Sequence, residues 1–453
     1  MSDTIAAIAT ALAPSAIGIV RLSGPQAAEV AGAVFAPLNG RPLREAPNRR
    51  LIGGTLHDRQ GRVIDQILAV YTRAPATYTG EDTVELQCHG SPVVLAAALD
   101  ALFAAGARQA GPGEFTKRAF LNGRMDLSQA EAVADLIDAE TADAAANAAG
   151  QLGGAIVSRV DPVYQSLLEI LSHFHVVLDY PDEDLDEFSI EDYTGRMSTA
   201  IDTLQGLLQT ADRGSLLKNG VRCAILGRPN VGKSSLLNAL AGYDRVIVTP
   251  VPGTTRDTVE ASVRLGSLTL RLLDTAGIRD TEDPVEKLGV ARALAAAQQA
   301  DLAVFVCDGA EPLTAEDRRA MEAARTAPHA LGIVNKSDLP QLVSPQDLPF
   351  DTVLTLSAAT GQGLDALERA VEDMFGGALA CDGSILTNTR QTGAIRRAVT
   401  ALESALQALQ AGLTPDAVLL DVEDALEALG EVNGRSMREE LINDIFSRFC
   451  VGK

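Results

Sequence analysis

At 453 residues the chain exceeds what one compact core ordinarily fills, so two or three domains are expected. Apolar residues make up 46% and charged residues 22%, as in soluble globular proteins, and no uncharged apolar run is long enough to span a bilayer. The formal charge of −22 argues against nucleic-acid binding by bulk electrostatics. That charge is uneven: residues 1–125 hold 12 Lys/Arg against 10 Asp/Glu, so any contact with a polyanion needs a local basic patch.

The first block, residues 1–120, mixes strands with a helix. The stretches "IGIVRLSG", "VIDQILAVYTRA" and "TVELQCHG" predict strands, and "SPVVLAAALDALFAAG" predicts a helix. Asp3 stands where a signal peptide would carry basic residues, so the apolar N-terminus is read as part of the fold. Along the third strand Val84, Leu86 and Cys88 point one way, and Glu85, Gln87 and His89 the other. His89 has no triad or metal spacing around it and reads as structural.

Helical texture begins at Asp126, a candidate N-cap with Gln129 three residues later, and Leu127, Ala130, Ala134 and Ile137 share one face. It continues to about residue 216, interrupted by the acidic "DYPDEDLDEF", and resumes over 379–453. Between them, over 217–378, strands and helices alternate, the pattern of a doubly wound parallel sheet. The expected fold is therefore multidomain: an N-terminal α+β domain over 1–120, then a helical domain split into 121–216 and 379–453 by an inserted α/β domain. Five cysteines at 88, 223, 307, 381 and 450 show no C-x-x-C pair and suit a reducing cytoplasm. Cys223 and Cys307 lie in apolar strand-like runs and read as core.

"GRPNVGKSS", from Gly227, follows the apolar strand "CAILG" and matches a P-loop. Its Asn230, Val231, Gly232, Lys233, Ser234 and Ser235 would close backbone amides around phosphate oxygens, Lys233 neutralising the β- and γ-phosphates and Ser234 offering its hydroxyl to Mg²⁺. Three further segments follow in the order a GTPase requires. "DTAG" (Asp274, Thr275, Ala276, Gly277) ends a strand, with its aspartate towards Mg²⁺ and its glycine amide towards the γ-phosphate. "NKSD" (Asn335, Lys336, Ser337, Asp338) supplies a carboxylate for guanine N1–H and the 2-amino group together, a donor pair that adenine lacks. "SAAT" (Ser357, Ala358, Ala359) is a loop for guanine O6. After D-T-A-G stands Ile278, which cannot orient water as the glutamine of Ras-type GTPases does. Asp280, Glu282, Asp283 and Glu286 follow, and the residues alone do not choose among them.

Beyond these segments, "YTGEDTVELQCHG", "PGEFTKRAFLNGRMDLSQAEAVADLIDA" and the closing "IFSRFCVGK" make the chain resemble, over essentially its whole length, the bacterial tRNA modification GTPases of the MnmE (TrmE) family, within the TrmE-Era-EngA-YihA-septin-like GTPase superfamily. The resemblance implies an N-terminal folate-binding and dimerising domain and a Ras-like GTPase domain inserted into the helical one. It implies a cytoplasmic homodimer, with no membrane attachment, that acts with a flavin-dependent partner, MnmG (GidA), on carbon 5 of the wobble uridine of certain tRNAs. A one-carbon tetrahydrofolate such as 5-formyltetrahydrofolate would be the donor. The resemblance also implies K⁺ at Asn230, Thr249, Val251 and Thr254, Mg²⁺ at Ser234 and Thr255, and nucleotide contacts along Thr249, Pro250, Val251, Pro252, Gly253, Thr254 and Thr255. A monovalent ion among the phosphates can do the electrostatic work of an arginine finger. The family's water-orienting acid falls on Glu286, and its folate positions on Arg21, Glu85, Arg124 and Lys453. For Glu85 the alternative is an ordinary exposed glutamate. "ATALAPSAIG" departs from the family's Pro/Gly-rich first loop, and Val451 replaces a commoner isoleucine. The P-loop and D-T-A-G segments also fit an Era- or Der-like ribosome-assembly GTPase, but neither a basic domain after the GTPase segments nor a second P-loop is present.

Cys450 poses its own question. A terminal C-x-x-x invites prenylation, but Gly452 is not aliphatic, Lys453 is a poor last residue, and no polybasic run precedes it. A core thiol beside Phe446 and Phe449, or a residue needed for tRNA chemistry, remain the two readings, and the resemblance favours the second.

Overall fold

Alternation over residues 83–90 produces a half-buried strand: in the computed structural model Val84, Leu86 and Cys88 are buried, while Glu85, Gln87 and His89 are not. The structure describes residues 3–179, 190–243, 261–273, 294–376 and 381–452. It divides into two units, residues 1–134 with 423–453 and residues 135–422.

The first unit is built on a seven-stranded sheet of β1 (Ile5–Ile8), β2 (Ser15–Ser23), β3 (Phe35–Pro37), β4 (Leu51–His57), β5 (Val63–Thr72), β6 (Thr83–Gly90) and β7 (Arg108–Gln109). Their order is β3-β4-β5-β6-β2-β1-β7, antiparallel except where β1 meets β7. The helices Ala27–Val34 and Pro92–Ala104 cover one face, burying Leu95, Ala98 and Leu102 against Val20, Leu86 and Cys88. On the other face Phe115 packs against Ile5 and Ala7 of β1, and elsewhere a groove of about 400 Å³ is lined by residues that include Ile17, Leu38, Leu68, Gln87 and His89. The predicted N-cap holds: Gln129 N–H donates to Asp126 Oδ1 at 2.9 Å, and Asp126 N–H donates to Gln129 Oε1 at 3.0 Å. The face predicted from Leu127 is only partly buried. Leu127 and Ala130 pack on Ile442 and Phe446, but Ile137 is 49% exposed.

In the second unit the helices Ala142–Leu152, Ala155–Asp179, Ile190–Leu208 and Ala211–Asn219 precede a six-stranded sheet, and Thr389–Gln410 follows it. The sheet comprises β8 (Val221–Leu226), β9 (Ala261–Leu265), β10 (Leu268–Leu272), β11 (Leu302–Asp308), β12 (His329–Asn335) and β13 (Thr352–Thr355), in the order β13-β12-β11-β8-β10-β9. All neighbours are parallel except β10 and β9. β11 is buried throughout because helices cover both faces: Val304 and Val306 pack with Leu236 and Leu367, while Phe305 and Cys307 pack with Met321 and Ala324. Burial pushes the Cys223 and Cys307 thiols up to about 12, as expected of packing residues.

The chain returns from this sheet through residues 382–387, which run against the helices Ala142–Leu152 and Ala211–Asn219. Asn147, buried, donates to Ile385 O at 3.1 Å and accepts from the amides of Gly383 and Ile385 at 3.2 and 3.3 Å. Gln151 donates to the same Ile385 oxygen at 2.6 Å. Gly214 allows the approach, since a Cβ there would lie 1.8 Å from Leu386 O. Replacing Asn147 by Ala strands two buried amides, so Asn147→Ala should destabilise this unit by about 2–4 kcal/mol. Urea unfolding followed by circular dichroism would measure it, and an unchanged midpoint would remove Asn147 from this role.

Candidate functional sites

β8 runs straight into the P-loop at the point where the strand order reverses, the place where doubly wound sheets bind ligands. Asn230 takes a left-handed backbone at φ 63° and Gly232 follows at φ 96°, turning the loop into the helix Lys233–Tyr243. Val231 is buried beneath it, and Ser235 is exposed. The Lys233 ammonium donates to the carbonyls of Gly227 and Arg228 at 2.8 and 2.7 Å.

The base segment and the third loop meet the P-loop through one side chain. Asn335, at the end of β12 and 1% exposed, donates from Nδ2 to Val231 O at 2.8 Å and accepts the Ala358 amide on Oδ1 at 3.0 Å. Gly232 is required here, because a Cβ would lie 2.3 Å from Asn335 Nδ2. Ser357 donates to Asp338 Oδ1 at 2.6 Å, fixing one oxygen of an otherwise exposed carboxylate. Lys336 is paired with Asp308 at 2.6 Å. Burial would raise the Asp308 carboxyl, but the Lys336 ammonium and the Ala310 amide outweigh it and hold it below its usual value. Ala359 is exposed beside buried Ala358. Asp308 and Arg228, which pairs with Glu311 and Asp317, escaped the sequence reading. The signal for Asp308 was an acid closing the apolar run "LAVFVCDG". Thr249, Pro250, Val251, Pro252, Gly253, Thr254, Thr255, Asp274, Thr275, Ala276, Gly277, Glu286 and Lys453 lie outside the described residues.

In the first unit the folate candidates Arg21 and Glu85 are cross-strand partners on β2 and β6, paired at 2.8 Å. The Arg21 guanidinium lies 5.7 Å from the Tyr78 ring and 5.8 Å from that of Phe115. Arg124 donates to Thr77 O at 3.0 Å, one residue from Tyr78. Cys450 is exposed, and its carbonyl accepts the Gly113 amide at 3.1 Å, two residues before Phe115. Val451 pairs with Pro112, continuing the hold on the tail. His89 is exposed and bonded to Asp65 at 2.8 Å.

Behind Arg21 stands a charge network that sequence reading missed. Buried Arg118 meets Asp3 at 2.8 Å, Glu81 at 2.9 Å and Glu114 at 3.3 Å, and Arg108 bridges Asp3 and Glu114 at 2.6 and 2.7 Å. The Arg108 guanidinium, with Arg118 behind it, outweighs burial and holds Asp3 well below the usual carboxylate range. Burial would raise Glu114, but Arg108, the Gly111 amide and Arg118 together leave it lowered.

Comparison with known proteins supplies the rest. Residues 4–124 match the family described as GTP-binding protein TrmE N-terminus, and residues 127–450 match the MnmE helical domain. The chain belongs to the MnmE family. Its curated relatives are similar from end to end. Proteins named tRNA modification GTPase MnmE from Roseiflexus sp. (strain RS-1), Synechococcus sp. (strain JA-3-3Ab) and Geobacillus kaustophilus (strain HTA426) are 43%, 45% and 44% identical, over 100% of this chain and 99% of theirs. The G domain of the T. maritima FeoB iron transporter aligns with 35% of this chain and 99% of its own at 25% identity, with a TM-score of 0.26. The fold is set by the strand order β13-β12-β11-β8-β10-β9. Membership of the MnmE family over the whole chain decides against an Era- or Der-like protein. Among the described residues no helix is long and apolar enough to cross a membrane.

Asp3 and Glu114 are both more acidic folded than unfolded. Their stabilisation is complete above the unfolded range of about 4 and is lost as pH falls through their lower folded values. Arg118→Gln should therefore lower thermal stability at neutral pH and flatten its acid limb below about pH 4. Melts recorded across pH would show this, and an acid limb parallel to wild type would contradict the network's role.

Proposed function

We propose that this chain is a GTP hydrolase of tRNA modification, acting with the flavin-dependent MnmG on carbon 5 of the wobble uridine and taking its carbon from a tetrahydrofolate. The observation that carries the GTPase reading is the joint at Asn335, which sets the phosphate loop, the base-reading segment and the third loop in one arrangement. The relatives' shared name supports the tRNA part.

The residues fit a guanine nucleotide. Asp338, with one oxygen fixed by Ser357, reads the two guanine donors, and the Ala358 amide is held beside it for the carbonyl edge. Lys233 exchanges its two loop carbonyls for phosphate oxygens. Ser234 and Thr255 hold Mg²⁺, and Asn230, Thr249, Val251 and Thr254 hold K⁺. Bound there, the two cations supply charge stabilisation to the phosphates. Glu286 orients the attacking water. Arg21, Glu85, Arg124 and Lys453 bind the folate, the arginines and the lysine suiting its carboxylates and Glu85 its pterin edge. Cys450 serves the tRNA chemistry. The division into 1–120, 121–216, 217–378 and 379–453, the homodimer and the cytoplasmic location belong to the same proposal.

Deleting the gene should remove the wobble-uridine modification from total tRNA. A Cys450→Ser gene should fail to restore it, although the purified variant hydrolyses GTP normally. Unchanged modification in the deletion strain would overturn the function, and full rescue would return Cys450 to packing. In the purified protein, exchanging K⁺ for Na⁺ should slow GTP turnover at least about tenfold. Glu85→Ala should abolish saturable binding of 5-formyltetrahydrofolate without changing that turnover. Equal rates in the two salts, or folate binding that survives, would remove the respective site.

A further inference from the structure

Several arginines already described are paired with carboxylates: Arg21, Arg108, Arg118, Arg228 among them. Five at one end of the N-terminal sheet are not. Arg41, Arg44, Arg49, Arg50 and Arg73 have no carboxylate at ion-pair distance among the described residues, on a chain with 60 acidic side chains. Four of them fall within residues 41–50, where Glu45 is the sole acid.

The five are gathered by backbone contacts. Arg73, at the end of β5, donates to the carbonyls of Arg44 and Ala46, each at 3.0 Å, and its amide donates to Asn48 Oδ1 at 3.0 Å. The Arg49 amide donates to Tyr71 O at 2.9 Å, and its guanidinium donates to Ala76 O. Leu43 and Ala46 are buried beneath the segment, so it is a fixed surface. Arg41, Arg44, Arg49 and Arg50 are exposed. Asp82, beside the end of β5, is already engaged, its two oxygens accepting the Tyr71 hydroxyl and the Ala74 amide.

This basic surface adjoins the candidate folate site. Arg49 holds the carbonyl of Ala76, Arg124 holds that of Thr77, and the next residue, Tyr78, lies by Arg21. We propose that the arginines of residues 41–50, with Arg73, dock the phosphate backbone of the tRNA substrate beside the one-carbon site. The proposal rests on the tRNA-modifying reading above. Planar guanidinium forks suit phosphate oxygens, and they overcome locally the repulsion that a net charge of −22 imposes on RNA. A membrane surface is the poorer occupant, because the segment's one helical piece, Leu43–Glu45, spans three residues and buries its leucine inward.

Arg41, Arg44 and Arg50 show no side-chain bond among the described residues, so changing them leaves the bracing by Arg49 and Arg73 intact. Binding of an unmodified tRNA transcript to the full-length protein, titrated against KCl, tests the surface. The variant R41E/R44E/R50E should bind more weakly, and its plot of log affinity against log salt should be shallower by about 2–3. Its GTP turnover and 5-formyltetrahydrofolate binding should match wild type. Should the triple variant fail to fold, Arg44→Gln alone should still reduce the slope by about 1. Equal affinity and slope in wild type and variants, or no tRNA binding by wild type, would overturn the surface. So would lost binding to anionic phosphatidylserine vesicles with tRNA binding unchanged, which would assign it to a membrane. Wobble-uridine modification that persists unchanged in the deletion strain is a separate failure, that of the functional reading itself.

Discussion

A sheet inserted into a helical framework obliges the chain to leave and re-enter through a crowded place, where the returning backbone cannot keep its water. Every amide and carbonyl buried there needs a partner. Here the partners are two side-chain amides, Asn147 and Gln151, from a helix more than two hundred residues earlier, with the Thr210 hydroxyl meeting Leu386 N–H beside them. The pairs Lys218–Asp135 and Arg271–Glu140, at 2.7 and 3.1 Å, lie around the start of the sheet. The helices that flank the nucleotide-binding sheet keep their places because the crossing is satisfied.

The same device recurs in the nucleotide site. Asn147 gives its amide donor and acceptor to one returning segment, whereas Asn335 divides its own between two, donating to Val231 O and accepting from Ala358 N–H. A loop held by side-chain amides has its phosphate-facing groups arranged before a ligand arrives, which reduces the ordering cost of binding. Three loops in register also mean that base reading and phosphate binding share one support.

Much of this was legible locally. The P-loop, the capping box at Asp126 and the alternation along β6 each lie within about nine residues, so spacing alone reveals them. Asn335 and Val231 stand 104 residues apart, and Asn147 and Ile385 stand 238 apart, and periodicity carries no such information. A clue existed in "ADAAANAAGQL": two amides four residues apart on one face of an alanine-rich helix serve no helical purpose. Ile137 shows the opposite error. Periodicity put it with Leu127, but that last turn carries Asp135, which faces Lys218, and the apolar side chain stays half in solvent. Among Asp280, Glu282, Asp283 and Glu286, only family likeness distinguishes one, since all four lie outside the described residues.

The N-terminal sheet is bounded by short strands, three residues in β3 and two in β7, with the tail pairing at Val451 just beyond the latter. Few unpaired backbone groups are therefore presented at either border, and strand-by-strand addition of another chain has little to grip.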